Sequence, residues 1–326
     1  MNLNLYDQDL NRIAIIGNQY VSCLWSEGYN TIENFTLEVV ETEEYKKKFS
    51  VDCYVGRDDR KTLMVIKSVK IKNGKIVASG KQATRVLDDV SFVGTIQSGS
   101  YIDTAIIKAY NNSDKYRSVI FSNTSLGAKY KYQISNKSFS ELCRKMCQSE
   151  DLGFRAIRNN GFVEIEFYQP IEKGNLVFSE KYGNLIVDSI SISSENYKNY
   201  AIVLGEGEGD DRKRVYVDLT NGGEKRELIV DARDVKLEDG ETNDSYNERL
   251  MARGIEKLFE RTHTFSCDFT PYSSDFGKKY DLGDVLTIYL NDYGITLKTR
   301  VAKFTQKSQK NKTETSVEVG QITIKR

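Results

Sequence analysis

The sequence predicts a β-rich α+β protein with two β-rich domains, each joined to a smaller accessory module. Short alternating runs rich in Tyr, Val, Ile, Thr and Phe recur along the 326 residues, with 20 tyrosines in all, and such runs favour strands. Three segments instead show the 3.6-residue apolar period of a helix. They lie between blocks of strands, and the length favours about two domains.

Residues 1–90 have the pattern of consecutive short strands. In Asn34–Val40, Phe35, Leu37 and Val39 alternate with other residues, as in a half-buried strand. Asn73-Gly74 predicts a tight hairpin. The other predicted strands are residues 2–6, 12–16, 20–25, 51–55, 62–69 and 75–80. Strands of this length and spacing favour a barrel or a sandwich.

Residues 91–172 change to an α+β pattern. The first helix places Ile102, Ala105, Ile106 and Ala109 on one stripe. A second helix begins at Ser138, with Glu141 completing a possible capping box. Its apolar face contains Phe139, Leu142, Cys143, Met146 and Cys147. Two strands at residues 154–158 and 162–168, joined by Asn159-Asn-Gly161, then predict a hairpin.

Residues 173–235 return to strands, and a third helix follows within residues 236–262. Ser245 and Glu248 form a possible capping box for it, and Gly254 is a weak point in its interior. Its predicted apolar stripe consists of Tyr246, Leu250, Met251, Ile255, Leu258 and Phe259. The last predicted strands are residues 264–269, 285–290, 295–304 and 315–325.

The composition argues against several classes of partner. The 47 basic and 47 acidic residues give no net charge, so there is no electrostatic footprint for nucleic acid or an anionic membrane. The first 16 residues lack a secretory signal, and no apolar run approaches the roughly 18 residues of a membrane span. We expect synthesis in the cytoplasm, no membrane span and no nucleic acid binding.

No catalytic, cofactor-binding or metal-binding residue is predicted, and the chain is expected not to be an enzyme. Cys143 and Cys147 are interpreted as small core residues. The single histidine, His263, follows the third helix, where the helix dipole favours a cation. A carboxylate pair for glycoside hydrolysis cannot be selected from so many acidic residues. Sugar binding by exposed tyrosines also stays open.

The segment from Asn196 to Asp234 is the most distinctive. It reads as a strand (Tyr200–Leu204), an acidic glycine loop (Gly205–Gly209), a strand (Arg214–Asp218), a glycine turn (Asn221–Gly223) and a strand (Glu227–Asp231). A phosphate cradle would need a lysine and a helix after the loop, whereas this loop carries acidic residues and precedes a strand. A solvated hairpin tip is the preferred interpretation. A cation site made by the loop carboxylates is the alternative.

This segment resembles the ReqiPepy-type siphophage tail protein family, and other stretches resemble it in the same order. Within the segment, the matching residues are Asn196–Asn199, Gly205–Gly209, Arg212-Lys213 and Arg226–Asp234. Elsewhere they are Leu5–Asp7, Leu24–Glu27, Phe139–Phe154, Tyr246–Leu258, Asp281–Asp284 and Tyr293–Ile295. The resemblance spans nearly the whole chain.

The resemblance implies two β-barrel domains of tail-hub type with two smaller α+β or helical modules outside them. The first barrel would take residues 1–95, completed by about 173–200, and the second would take 200–222 and 264–326. The α+β module would be residues 96–172, and the helical module residues 223–263.

The resemblance also implies a function. The chain would be a structural hub or baseplate protein in the tail of a virion or of a phage-derived contractile particle, and its expected oligomer is a homotrimeric ring. Its partners would be the tail tube or distal tail protein on one side and a tip, spike or fibre protein on the other. The family is often fused to an enzymatic or fibre region, and this chain ends at Arg326 after the last strand pattern. Wall degradation is therefore not expected; a cell-wall hydrolase or a carbohydrate-binding tip component is the alternative.

Overall fold

The computed structural model contains two compact units. The first comprises residues 1–188, 268–319 and 324–326, and the second comprises residues 189–267 and 320–323. The structure describes residues 1–113, 119–122, 126–185, 187–238, 240–261, 264–269, 275–291, 294–309 and 312–325.

The fold is β-rich, with 21 strands and four α-helices in the described residues. The strands are β1 Leu3–Tyr6, β2 Arg12–Gly17, β3 Ser22–Gly28, β4 Asn34–Val40, β5 Tyr54–Arg57, β6 Leu63–Lys72, β7 Lys75–Gln82, β8 Ser91–Ile96, β9 Val119–Phe121, β10 Ile134–Ser138, β11 Gly153–Asn159, β12 Phe162–Tyr168, β13 Glu172–Phe178, β14 Val187–Ser193, β15 Tyr200–Leu204, β16 Arg214–Asp218, β17 Glu227–Asp231, β18 Thr264–Phe269, β19 Val285–Leu290, β20 Ile295–Gln309 and β21 Lys312–Lys325. The helices are α1 Glu43–Lys48, α2 Ile102–Asn111, α3 Phe139–Ser149 and α4 Asn243–Phe259.

The first unit is built on a large sheet that joins the two ends of the chain. Its central strand order is β2-β1-β5-β6-β7-β4-β3-β20, and β20 also neighbours β19 and β21. The junction is the antiparallel β3–β20 pair, in register from Gly28 opposite Lys303 to Ser22 opposite Gln309. Among the described residues these pairings do not close a barrel, so the observed architecture is an extended β-rich sheet.

The alternating pattern of the N-terminal strands is confirmed. Phe35, Leu37 and Val39 all lie in the core together with Trp25. Asn73 and Gly74 both have positive φ angles and connect β6 to β7, as expected for a tight hairpin.

Two details of this region differ from the sequence expectations. Helix α1 was not predicted; the Thr42 side chain caps it by accepting a hydrogen bond from the Tyr45 amide. The strand expected at residues 51–55 begins only at Tyr54. Asp52 has a φ of +63°, which is incompatible with extended backbone.

Helices α2 and α3 form where the sequence predicts them, and their buried residues share one core cluster with Tyr6, Tyr54 and Leu63 of the large sheet. Ile102 and Ile106 of α2 are buried, as are Cys143 and Cys147 of α3. Ser138 caps α3 by accepting a hydrogen bond from the Glu141 amide at 3.3 Å, which confirms the helix start. Burial raises the pKa of both cysteine thiols, so they are packed as apolar residues.

In the second unit, α4 covers one face of a three-stranded sheet ordered β16-β15-β17. Strands of the 200–222 range therefore share a sheet and a core with β17 and α4, which lie in the 223–263 range. The Ser245 capping box is wrong, because the helix begins earlier: the Thr242 side chain accepts from the Ser245 amide at 3.2 Å. Met251 and Phe259 are exposed instead of buried.

Gly254 lies where α4 touches the sheet, and we expect Gly254→Ala to destabilise this unit. An added Cβ would lie 2.6 Å from Val203 Cγ2 and 2.8 Å from Val217 Cγ2. Overpacking costs about 1–3 kcal/mol, which should outweigh the gain of about 1 kcal/mol in helix propensity. Urea unfolding of this variant beside Met251→Ala, an exposed position on the same helix, measures the effect. A variant more stable than the wild type would show that Val203 and Val217 can move enough to accommodate the added methyl group.

No helix in the described part of the chain is both long enough and apolar enough to cross a membrane.

Candidate assembly surface

The glycines of the Gly205–Gly209 loop are required by packing and by turn geometry. A Cβ at Gly205 would lie 2.7 Å from the Tyr246 hydroxyl of α4 and 2.9 Å from Leu250 Cδ1. Gly207 has a φ of +111°, which non-glycine residues rarely adopt. The Tyr246 hydroxyl accepts from the Glu206 amide and donates to the Val235 carbonyl, both at 3.0 Å. The loop is thereby fixed to the helix.

Arg212 fastens the ends of β15 and β17. Its Nη2 donates to the Leu204 carbonyl at 2.5 Å and to Asp231 Oδ1 at 2.7 Å, and its Nε donates to the Gly205 carbonyl at 3.0 Å. The hydrogen bond from Arg212 lowers the pKa of Asp231. A guanidinium suits this role because its donors have a fixed planar geometry.

Asn199 connects the start of the segment to the run before β17. Its Oδ1 accepts from the Arg226 amide at 2.7 Å, and its Nδ2 donates to the Glu224 carbonyl at 2.9 Å. The distinctive residues of this stretch therefore hold one another in place.

Two acidic residues of the Gly205–Asp211 stretch interact with neighbouring groups of the chain. Asp210 pairs with Arg214 at 3.2 Å, and Glu206 accepts from the Leu237 amide at 3.4 Å. Within the described residues, no three His, Cys, Asp or Glu side chains are grouped as for a metal ion. His263 lies outside the described residues.

The face of this sheet opposite α4 exposes an apolar row. Tyr216, Ile202 and Ile229 lie directly across from one another on the three strands. Tyr216 is 53% exposed and Ile229 is 69% exposed. Charged residues surround the row: Arg214, Asp218, Glu227 and Asp231. An apolar centre with a polar rim is the usual make-up of a protein interface. We refer to this face, centred on Tyr216, Ile202 and Ile229, as the open sheet face.

In the first unit, stretches that are distant in sequence meet at a buried ion cluster. Arg60 Nη2 lies 2.9 Å from Glu27 Oε2 and 3.0 Å from Asp281 Oδ1. Trp25 Nε1 donates to Glu27 Oε1 at 2.7 Å, and Arg155 Nη1 donates to Asp281 Oδ2 at 3.3 Å. Burial opposes the charge of Arg60, but the attraction of Glu27 and Asp281 prevails and raises its pKa. The Leu24–Glu27 and Asp281–Asp284 motifs are thus joined through Arg60.

The residues around Leu152–Phe154 are tied to the loop after β3. The Leu152 carbonyl accepts from the Tyr29 hydroxyl at 2.8 Å and from Asn30 Nδ2 at 2.7 Å. Asn30 Oδ1 in turn accepts from the Phe154 amide at 3.2 Å. These bonds attach the α+β module to the large sheet.

The sequence analysis did not identify Arg60 as the centre of the ion cluster, nor Ile229 as part of an uncovered sheet face. Arg60 lies in a polar loop, Asp58–Thr62, and its sequence neighbours do not mark it as a buried cation. Period-two alternation of Glu227–Asp231 does reveal two faces, but not which one stays uncovered.

A family model described as Siphovirus ReqiPepy6 Gp37-like protein matches residues 2–321. No curated protein matches the chain.

Several solved structures share the fold at low sequence identity. The prophage tail protein gp18 from Listeria monocytogenes aligns with a TM-score of 0.60 and 12% identity over 98% of this chain and 94% of its own. The tail protein from Neisseria meningitidis gives 0.62 and 10%, over 98% and 96%. The 43 kDa tail protein of prophage MuSo2 from Shewanella oneidensis gives 0.62 and 13%, over 98% of both chains.

Proposed function

Because the chain belongs to the siphovirus ReqiPepy6 Gp37-like family, we propose that it is a structural hub of a phage tail or of a phage-derived particle. It would form a ring that joins the tail tube to the tip or spike. The family match along nearly the whole chain carries this proposal. The likeness in fold to three prophage and bacterial tail proteins supports it.

The proposed ring is a homotrimer. Strand β2 pairs only with β1 among the described strands, so one end of the large sheet presents unpaired backbone groups. Native proteins cover such edges, and a closed symmetric ring of subunits would cover this one. The two barrels are part of this proposal: residues 1–95 with about 173–200 would contribute to one, and residues 264–326 to the other. The strands of residues 200–222, expected in the second barrel, lie instead in the separate sheet with β17.

The open sheet face is the proposed contact with a neighbouring copy of the chain. A sheet face with Ile229 exposed to 69% gains stability when it is covered, at about 25 cal/mol per Å² of apolar area. The charged residues around it would set the orientation of the partner.

No enzymatic step is proposed. The residues that distinguish the chain, including Arg212, Asn199 and Tyr246, are engaged in hydrogen bonds that hold strands and loops. Its role would then be exercised through surfaces and not through a reaction.

The mass in solution tests the proposal. Light scattering on the purified chain, alone and after co-expression with the tail proteins of the same particle, should give three times the chain mass of 37.2 kDa. A chain that stays monomeric in both samples and is absent from purified particles would refute the hub role. Zymography on peptidoglycan is the companion assay, and a cleared zone would favour a hydrolase.

A further inference from the structure

Strand β16 forms a free edge of the sheet in the second unit. Among the described strands it pairs only with β15, and that pairing has no bulge. At one end of the ladder the Leu219 amide donates to the Asn199 carbonyl at 2.9 Å. At the other end the Gly205 amide donates to the Lys213 carbonyl at 2.8 Å. Because such bonds fall on every second residue of an antiparallel pair, the alternate residues of β16 direct their backbone N–H and C=O groups away from β15: Arg214, Tyr216 and Asp218.

Helix α4 has two flanks beside the residues that it packs on this sheet, and their chemistry differs. Arg249 and Arg253 each precede a buried residue of the helix. Both pair with carboxylates of the segment after β17, Arg249 at 2.6 Å and Arg253 at 2.8 Å. Successive helix residues are about 100° apart, so the residues that follow the buried ones lie on the opposite flank, beside β16. Those residues are apolar: Met251, Ile255 and Phe259.

The apolar flank of α4 and the adjacent side of β16 make one apolar strip beside the free edge. Met251 is 40% exposed and Phe259 is 62% exposed. Val215 and Ile255 are partly buried against the core under the helix, and Leu219, with the same place in the alternation as Val215, is 40% exposed. The five-residue run from Val215 spans about 13 Å, and the run from Met251 to Phe259 spans about 12 Å. The two rows therefore match in length. We refer to these five residues as the apolar strip.

Negative charge lies at one end of the apolar strip. Asp244 and Glu248 are exposed residues near the start of α4. Glu248 precedes Met251 by three residues, which makes the two side chains neighbours on the helix surface. The ion pairs of α4 in the described part of the chain use other carboxylates. A partner with a lysine or arginine at this end would complement the strip.

We propose that the free edge of β16 and the apolar strip bind an extended strand of another tail protein; this choice of partner rests on the proposed hub role. The unpaired backbone groups select an extended segment, because a helix uses its own backbone groups internally. Apolar side chains at every second position would cover the strip, and a basic residue would lie beside Glu248. Strand β2 of a second copy fits poorly, because Ala14 and Ile16 are already buried in its own core.

Fluorescence anisotropy on the purified full chain tests the site with two labelled, capped peptides. Each contains Val-Thr-Val-Thr-Val, preceded in one peptide and followed in the other by two lysines, so that both strand directions are sampled. One of them should bind. N-methylation of its Val-Thr segment should weaken binding at least about tenfold, because the pairing hydrogen bonds are lost.

Variants of the chain separate the contributions of the site. Met251→Ser/Phe259→Ser should weaken peptide binding at least about tenfold through lost apolar contact. Glu248→Gln should weaken it about threefold at low salt. Val93→Ser, at an exposed position of β8 in the first unit, should bind like the wild type. In hydrogen exchange, bound peptide should protect the outward-facing Tyr216 amide.

Failure of both peptides to bind would overturn the proposal, as would equal binding by the wild type and Met251→Ser/Phe259→Ser. If that variant instead loses the trimer in light scattering, the strip is covered by a second copy and the proposed occupant is wrong. Peptide binding is measured on the chain alone. A chain that is monomeric in every sample would therefore refute the hub role and leave the strand site to be decided by its own assay.

Discussion

Replacing Arg60 by methionine is expected to lower the free energy of unfolding by about 3–5 kcal/mol, the usual cost of removing one partner of a buried ion pair. Glu27 has a fully buried side chain, and Arg60 is its cationic partner at 9% side-chain exposure. The variant would leave the Glu27 carboxylate in the core, where it keeps the Trp25 hydrogen bond but loses Arg60. Arg60 also lies 4.5 Å from the centre of the Phe276 ring, so stacking would be lost with the charge.

The double variant Glu27→Gln/Arg60→Met separates the cost of the unpaired Glu27 charge from the cost of losing the packing of the Arg60 side chain. Glutamine can still accept from Trp25, and no buried charge is left unpaired, so the double variant should recover more than about half of the lost stability. Urea unfolding followed by tryptophan fluorescence measures both, because Trp25 is the single tryptophan and belongs to the cluster. If Arg60→Met unfolds at the wild-type midpoint, the cluster does not hold the sheet to the C-terminal segment.

Replacing Ile229 by glutamate is expected to break the proposed ring without unfolding the chain. The side chain is mostly exposed in the single chain, and surface substitutions usually change stability by less than about 0.5 kcal/mol. In an assembled interface the same change would remove roughly 1.5–3 kcal/mol of apolar burial and insert an unpaired carboxylate. Subunit affinity should therefore fall by at least about tenfold to a hundredfold.

Val93→Glu is the matched control, since Val93 is another exposed apolar strand residue but lies on β8 of the first unit. Analytical ultracentrifugation over a concentration series should show Val93→Glu assembling like the wild type and Ile229→Glu dissociating. Equal assembly of both variants would mean that the open sheet face is not the contact between subunits.

Sequence reasoning succeeded where neighbouring residues determine the structure. Strands β15, β16 and β17 have the predicted bounds, because glycine-rich turns interrupt short alternating runs. The start of α3 was predicted because Ser138 lies three residues before Glu141. For α4, Ser245 and Glu248 offered the same signal, but Thr242 caps the helix one turn earlier. Local patterns cannot rank two competing caps.

Sequence reasoning failed where distant residues decide the outcome. The bond from Arg60 to Asp281 spans 221 residues, and no periodicity connects the two positions. Gly254 looks like a weak helix position by propensity, yet the valines of β15 and β16 make it the place where the helix approaches the sheet. Whether the large sheet closes into a barrel depends equally on long-range pairings that alternation alone does not specify.

The most direct test of the hub role is an image of the purified chain. Negative-stain electron microscopy, at concentrations where light scattering is also recorded, should show rings of three subunits for the wild type and for Val93→Glu. Ile229→Glu should show no rings, and its light scattering should give the mass of one subunit. A wild-type chain that stays monomeric and forms no rings at every concentration, including in samples co-expressed with the other tail proteins, would contradict the hub role.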